Sequence, residues 1–100
     1  MATVDEITER FRTAVQGGSI PGKTVKFDLK GEGFIFLDGA NVTNEDAEAD
    51  CTLVVAKDDL EDMAMGRLDP LGAFSSGRLR VLGDMGVAMQ LQGLLARARG

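Results

Sequence analysis

Residues 24–30 read TVKFDLK, and this stretch leaves the chain few choices. Val25, Phe27 and Leu29 alternate with Lys26, Asp28 and Lys30, so in extended form one face is apolar and the other charged. Gly31-Glu32-Gly33 is suited to a tight reversal, and Phe34-Ile35-Phe36-Leu37 follows as a second strand that is apolar on both faces. Two strands alone are marginal in water. The apolar side of this hairpin therefore has to be covered by the rest of a chain of 100 residues, which has room for one core.

The flanking segments supply the cover. Thr3 and Glu6 have the spacing of a capping box, and Val4, Ile7, Phe11, Ala14 and Val15 then recur at helical spacing. Gly17-Gly18 stops this helix and Pro21-Gly22 makes a turn. After Asp38-Gly39, residues 40–43 can pair briefly as a third strand, residues 44–50 form an acidic loop, and CTLVVA at 51–56 is a fourth strand. Residues 57–65 read as a helix with Leu60, Met63 and Ala64 on one face and Gly66 as its C-cap. Asp58, Asp59, Glu61 and Asp62 favour its N-terminal half through the helix dipole. Asp69-Pro70 opens a short helix through Phe74, LRVL at 79–82 is the fifth strand, and Asp84 caps a last helix. The order αββββααβα predicts an α+β fold with a mostly antiparallel sheet and its helices segregated to one face. No repeat, low-complexity segment or linker interrupts it, so residues 1–100 read as one domain.

The last helix is unusual. Val87, Leu91, Leu94, Leu95, Ala88, Met85, Ala96 and Met89 sweep round more than half of its circumference, with Gln92 inside the arc, whereas a surface helix shows a single stripe. The methionines beyond the initiator, Met63, Met65, Met85 and Met89, fall in two helices of the second half. Met is flexible and fills irregular space. Two explanations stay open: a core packed with gap-fillers, or a pocket for an apolar ligand of variable shape.

Catalytic and metal chemistry find no support. There is no His, which removes the commonest general base and metal ligand. Cys51 has no His partner and shares a strand face with Leu53 and Val55, as an inert buried thiol would. The acidic stretch 38–50 lacks the ligand spacing of a calcium loop, and Asp58, Asp59, Glu61 and Asp62 are spread round a helix start. Gly31-x-Gly33 lacks the rest of a dinucleotide fingerprint. No catalytic residue, metal or cofactor is expected. A net charge of −5 with five Phe and no Trp or Tyr argues against nucleic acid, and the charge argues against tight docking on anionic membranes. One cysteine, a charged N-terminus, no long apolar run and a C-terminal Ala-Arg-Gly fit a cytoplasmic protein without a signal peptide, membrane span or peroxisomal address.

Residues 66–92, GRLDPLGAFSSGRLRVLGDMGVAMQLQ, resemble the signature of the sterol carrier protein 2 family: Asn/Asp-Pro, then Ala-Phe, then Gly-Lys-Leu-Lys-Ile, then Gly-Asn/Asp-Met-Gly-Leu-Ala-Met-Lys-Leu-Gln. Ala49-Asp-Cys-Thr52 is similar to the family's entry into its fourth strand, and the likeness runs from about residue 3 to residue 95. The chain departs from familiar members in its acidity, in its C-terminal tripeptide, and in Arg78 and Arg80 where Lys is usual. The resemblance implies a five-stranded sheet covered on one face by helices, with a hydrophobic tunnel between them. It also implies non-covalent binding of fatty acids, acyl-CoA esters, sterols or phospholipids, which are moved or presented to enzymes.

On that basis the lipid-lining residues are expected to be Phe27, Phe34 and Phe36 on the sheet, Phe11 on the first helix, Met63 and Phe74 in the middle, and Met85, Met89 and Leu94 on the last helix. Gln92 either meets a ligand head group or bonds to backbone. A charge at Met89 is expected to cost lipid binding and stability together. If Phe34 and Phe36 share the face of Phe27, then Ile35 and Leu37 point outward with Val54 and Leu82. Those four side chains would form an apolar patch for a weak homodimer or a partner. The alternatives are an interaction module whose cavity has closed, marked by a void below about 300 Å³, and an accessory domain that presents acyl-CoA to an enzyme.

Overall fold

The computed structural model describes residues 3–18, 20 and 22–98, and only the backbone of residues 92 and 95–98. The elements run α1 (Val4–Gln16), β1 (Thr24–Asp28), β2 (Phe34–Asp38), β3 (Asn41–Thr43), β4 (Cys51–Val55), α2 (Lys57–Ala64), α3 (Pro70–Ser75), β5 (Leu79–Gly83) and α4 (Met85–Ala98). The five strands lie in the order β3-β2-β1-β4-β5. The pairs β1–β2, β2–β3 and β4–β5 are antiparallel, while β1–β4 is parallel. The fold is thus α+β with a mixed, mostly antiparallel sheet. The chain reaches β4 through the loop 44–50, whose last residue starts the parallel pair: the Asp50 carboxylate accepts from Thr24 N–H at 2.8 Å, and Asp50 N–H donates to Thr24 Oγ1 at 2.9 Å.

Local chemistry fixes the helix starts. Glu6 N–H donates to Thr3 Oγ1 at 3.2 Å and Thr3 N–H to Glu6 Oε1 at 3.0 Å, which closes the capping box and holds the Glu6 carboxyl below its ordinary pKa. Asp69 accepts from Gly72 N–H at 3.2 Å ahead of Pro70. Asp84 Oδ1 accepts from Gly86 N–H at 2.8 Å and Val87 N–H at 3.3 Å. These bonds to Val87 and Gly86, and then Lys23 at 3.4 Å, lower its pKa. Pro21 and the side chains of Gln92, Leu95 and Ala96 lie outside the described residues.

One expectation about the sheet is corrected. Phe27 pairs with Ile35 and Val25 with Leu37. Directly opposed residues share a face, so Ile35 and Leu37 point under the helices, where both are buried. Phe34 and Phe36 point the other way and are half-buried on the outer face. The turn is the cause. Its central residues are Lys30 and Gly31, both at positive φ, with Glu32 N–H donating to the Leu29 carbonyl at 3.2 Å and Leu29 N–H to the Gly33 carbonyl at 3.0 Å. This closure pairs odd-numbered residues with odd-numbered ones. A homodimer patch built on Ile35 and Leu37 is therefore not available. Outside, Phe34 and Phe36 accompany half-buried Val54 and exposed Leu82, and the Lys26 ammonium sits 5.6 Å from the Phe34 ring while pairing with Asp46 at 2.8 Å.

The core lies between the inner sheet face and the helices. Phe11 of α1 is fully buried with its ring centroid 4.9 Å from that of Phe27. Thr8 is buried as well. Its hydroxyl donates to the Val4 carbonyl at 2.8 Å and accepts from Asn44 Nδ2 at 2.9 Å, and Asn44 also donates to the Phe34 carbonyl, so one loop residue ties α1 to the sheet. Cys51 is fully buried at the start of β4, where loss of hydration and the neighbouring Asp84 charge raise its thiol pKa. A thiol reagent such as DTNB is expected to label it only as fast as the protein opens, with full reaction in denaturant. Rapid labelling of the native protein would contradict the burial.

Candidate functional site

Beside the edge strand β5, the inner face of the sheet does not meet the helices completely. A slot of about 140 Å³ remains there. Its floor is Phe27, Leu53, Leu79 and Val81 from β1, β4 and β5. Met63 of α2 and Leu91 of α4 close its inner end, where both are buried. Pro70, Leu71 and Phe74 of α3 and Met85, Ala88 and Met89 of α4 form the sides and mouth. Every lining residue is apolar, so the slot offers no general acid, base or nucleophile. Among the described residues no group of three or more His, Cys, Asp or Glu could hold a metal ion, and no helix is long and apolar enough to cross a membrane.

The mouth is open to solvent. Relative exposure is 63% at Leu71, 46% at Phe74, 52% at Met85 and 75% at Met89. The wide apolar arc of α4 is thereby explained. Val87, Leu91 and Leu94 occupy the face buried against α1 and the sheet, whereas Met85, Ala88 and Met89 occupy the next face round and border the slot.

Of the side chains expected to line a lipid site, the slot brings together Phe27, Met63, Phe74, Met85 and Met89. Phe11 stands behind Phe27 in the closed core. Phe34 and Phe36 are on the wrong face of the sheet. Leu94 borders a separate void of about 10 Å³ beside Val15, Ile20 and Leu37. The Gln92 side chain lies outside the described residues. Leu53, Pro70, Leu71, Leu79, Val81, Ala88 and Leu91 were not anticipated. The inward alternation of β4 and β5 is the signal that could have found Leu53, Leu79 and Val81.

A larger recess, of about 530 Å³, opens at the β3 edge of the sheet. Its lining is mixed, with Arg12, Gln16, Asp38, Asn41, Thr43 and Glu45 beside Phe36, Ala40 and Val42. The Arg12 guanidinium donates to the Val42 carbonyl at 3.0 and 3.2 Å and pairs with Glu9, which clamps α1 to β3. The smaller slot is the better candidate, because its walls form a continuous apolar surface with an apolar entrance.

Over 56 residues the chain is 43% identical to sterol carrier protein 2 of Oryctolagus cuniculus, a stretch that is 56% of this chain and 10% of that protein. It is also 33% identical over 81 residues, 80% of this chain, to peroxisomal multifunctional enzyme type 2 of Mus musculus, again 10% of that protein. The chain thus spans about a tenth of the length of these curated relatives. Its fold is similar to the solution structure of sterol carrier protein-2 from Aedes aegypti in complex with palmitate, a C16 fatty acid. The TM-score is 0.79 at 17% identity, over 93% of this chain and 94% of that one. Palmitated SCP2L2 from the same mosquito superposes at TM-score 0.74 with 19% identity, over 95% and 96% of the two chains. A profile of the SCP-2 sterol transfer family matches residues 11–96, and with the fold and the apolar slot on the same segment, the chain belongs to that family.

Proposed function

We propose that residues 1–100 act as one lipid-binding domain, which holds a fatty acid, acyl-CoA ester, sterol or phospholipid non-covalently in the slot and transfers or presents it. The observation that carries this is the slot's composition: twelve apolar residues and no polar one, with its mouth left exposed. The palmitate complexes of its fold neighbours support it. Binding is by burial. A 16-carbon chain carries roughly 12 kcal/mol of transfer free energy at about 0.8 per methylene. Ordering and immobilising the ligand consume much of that, which leaves micromolar affinity. Binding rather than catalysis is the role, and the single buried thiol fits the cytoplasm.

The slot's volume bears on mechanism. At about 140 Å³ it falls below the size expected for an open lipid cavity and matches a space for a benzene-sized group. A closed interaction module would have such a volume and would also expose apolar side chains such as Leu71, Phe74, Met85 and Met89, so it is the palmitate complexes of the fold neighbours that favour lipid. To take a whole acyl chain, α3 and the start of α4 must part from the sheet. Unbranched Met63, Met85 and Met89 adapt to ligands of different shape. The likeness to a multifunctional enzyme favours presentation to an enzyme as one use of the same site.

Native mass spectrometry of freshly purified protein, with displacement of a fluorescent fatty acid, tests the proposal. Co-purified lipid and micromolar displacement are expected. Absence of both would overturn it. Met89→Asp sharpens the test. Because Met89 is exposed rather than buried, the new carboxylate stays hydrated in the free protein and stability should change by less than about 0.5 kcal/mol. A bound chain would have to desolvate that carboxylate, so affinity should fall about tenfold. This corrects the expectation of a joint loss of stability and binding.

A further inference from the structure

We propose that the open edge of β5 pairs with β5 of a second copy of the chain, antiparallel and centred on Val81, so that two sheets join into one. The proposal stands apart from the reading that the slot takes lipid.

The two edges of the sheet, β3 and β5, differ. Leu29 N–H donates to the Gly33 carbonyl, and the alternation of antiparallel pairs carries from there to β3. Asn41 and Thr43 therefore bond towards β2, and Val42 turns its backbone outward. The Val42 carbonyl accepts from the Arg12 guanidinium at 3.0 and 3.2 Å, so α1 closes that edge. At β5 the Asp84 N–H donates to the Asp50 carbonyl, and the same alternation makes Arg80 and Leu82 the residues bonded to β4. Leu79, Val81 and Gly83 turn their N–H and C=O groups away from β4. Among the described residues no hydrogen bond reaches those outward groups. A row of unpaired backbone groups is a template for another strand.

The residues that flank β5 say which strand fits. Arg78 precedes it and Asp84 follows it. A two-fold axis at Val81 sets Leu79 against Gly83 and Arg80 against Leu82, and beyond the ends it sets Arg78 beside Asp84 of the second copy. Outward residues then oppose outward residues, so each free N–H meets a free C=O. Arg78 and Arg80 are exposed, and among the described residues neither side chain makes an ion pair or hydrogen bond. Asp84 caps α4 through Oδ1, and its Oδ2 lies 3.4 Å from Lys23 with lone-pair capacity left for a guanidinium. Leu82, 50% exposed in the single chain, is covered by the aliphatic stem of Arg80 from the second copy. The two Arg80 side chains lie on a diagonal rather than opposite each other. A foreign strand has to supply this charge order from its own sequence, whereas a second copy already carries it. The interface is small, so the association is weak.

Sedimentation velocity from about 10 μM to about 1 mM, with amide hydrogen exchange read by NMR at both ends of the series, tests the proposal. Wild type should pass from monomer to dimer across that range. The Arg80 and Leu82 amides should be protected throughout, whereas the Val81 amide should gain about threefold protection only as the dimer forms. Leu82→Glu and Leu82→Lys both remove the same exposed leucine, which does not line the slot. The first sets a carboxylate opposite Arg80 of the second copy and the second sets an ammonium there. Leu82→Glu should therefore dimerise at least about tenfold more tightly than Leu82→Lys. A wild type still monomeric at about 1 mM would overturn the proposal. So would a dimer in which the Val81 amide exchanges as it does in the monomer, or equal losses in the two variants. An added extended peptide that protects Val81 on a wild type that stays monomeric would give the edge to a foreign strand and overturn the second copy as its occupant.

Discussion

Gly83→Ala should lower the melting temperature by roughly 15 °C, a loss of about 3 kcal/mol in a domain of this size. Gly83 ends β5 with φ +96°, and a Cβ there would lie 2.4 Å from the Asp50 carbonyl oxygen. That oxygen is fixed. It accepts the Asp84 N–H at 2.9 Å, and Asp50 itself is bonded to Thr24 at the start of the parallel pair. The added methyl has to push β4 and β5 apart or break the Asp84 bond, on top of the strain of a positive φ. Gly77→Ala is the control. Its φ is +83°, but a Cβ meets nothing within 4 Å, so only the conformational cost of about 1 kcal/mol remains. Differential scanning calorimetry of both variants separates the effects. Equal losses would mean that the strands do not approach as closely as described. The position matters for function because Asp84 and Met85 follow at once, so the junction also aims α4 over the slot.

Much of this fold was legible because its signals are local. The alternation of Val25, Phe27 and Leu29 marked β1, and the caps at Thr3, Asp69 and Asp84 marked helix starts, each confirmed by a side-chain bond. β2 shows where local signals fail. A strand apolar on both faces carries no phase of its own, and the two phenylalanines drew the assignment to the wrong side. The phase is set by the turn at Lys30-Gly31, where Asp28 Oδ1 accepts the Lys30 N–H at 3.1 Å and helps a non-glycine residue hold positive φ. The parallel β1–β4 pair is likewise invisible to periodicity, because it depends on which strand the chain meets after the loop 44–50.

The site was legible in part for the same reason. The broad arc of α4 and the clustered methionines belong to single helices, so Met63, Met85 and Met89 could be picked out. Phe27 and Phe74 joined them through the family resemblance. Alternation in β4 and β5 places Leu53 and Val81 on the inner face, but it does not separate a slot wall from plain core, since that difference lies in how far α3 stands from the sheet.

Ala88→Phe should abolish fatty-acid binding while leaving the fold intact, with affinity at least about a hundredfold weaker. Ala88 is half-buried on α4, between the core face of Val87 and Leu91 and the mouth at Met85 and Met89, and it lines the slot. A phenyl ring is close in size to what a void of about 140 Å³ can hold. It would fill the space that the proposed site gives to the inner end of an acyl chain. Six excluded methylenes at about 0.8 kcal/mol each exceed the energy of a hundredfold loss, even after some of the chain finds contacts at the mouth. Filling a void recovers packing energy, and imperfect fit costs some of it back, so stability should stay within about 1 kcal/mol of wild type. The variant works by shape and Met89→Asp by charge, one residue apart on the same helix, so agreement between them excludes a purely electrostatic artefact. Fatty-acid displacement paired with thermal denaturation on the same sample is the measurement. A folded Ala88→Phe protein that displaces the probe as wild type does would mean that the acyl chain lies elsewhere, and the slot would then be only a packing defect.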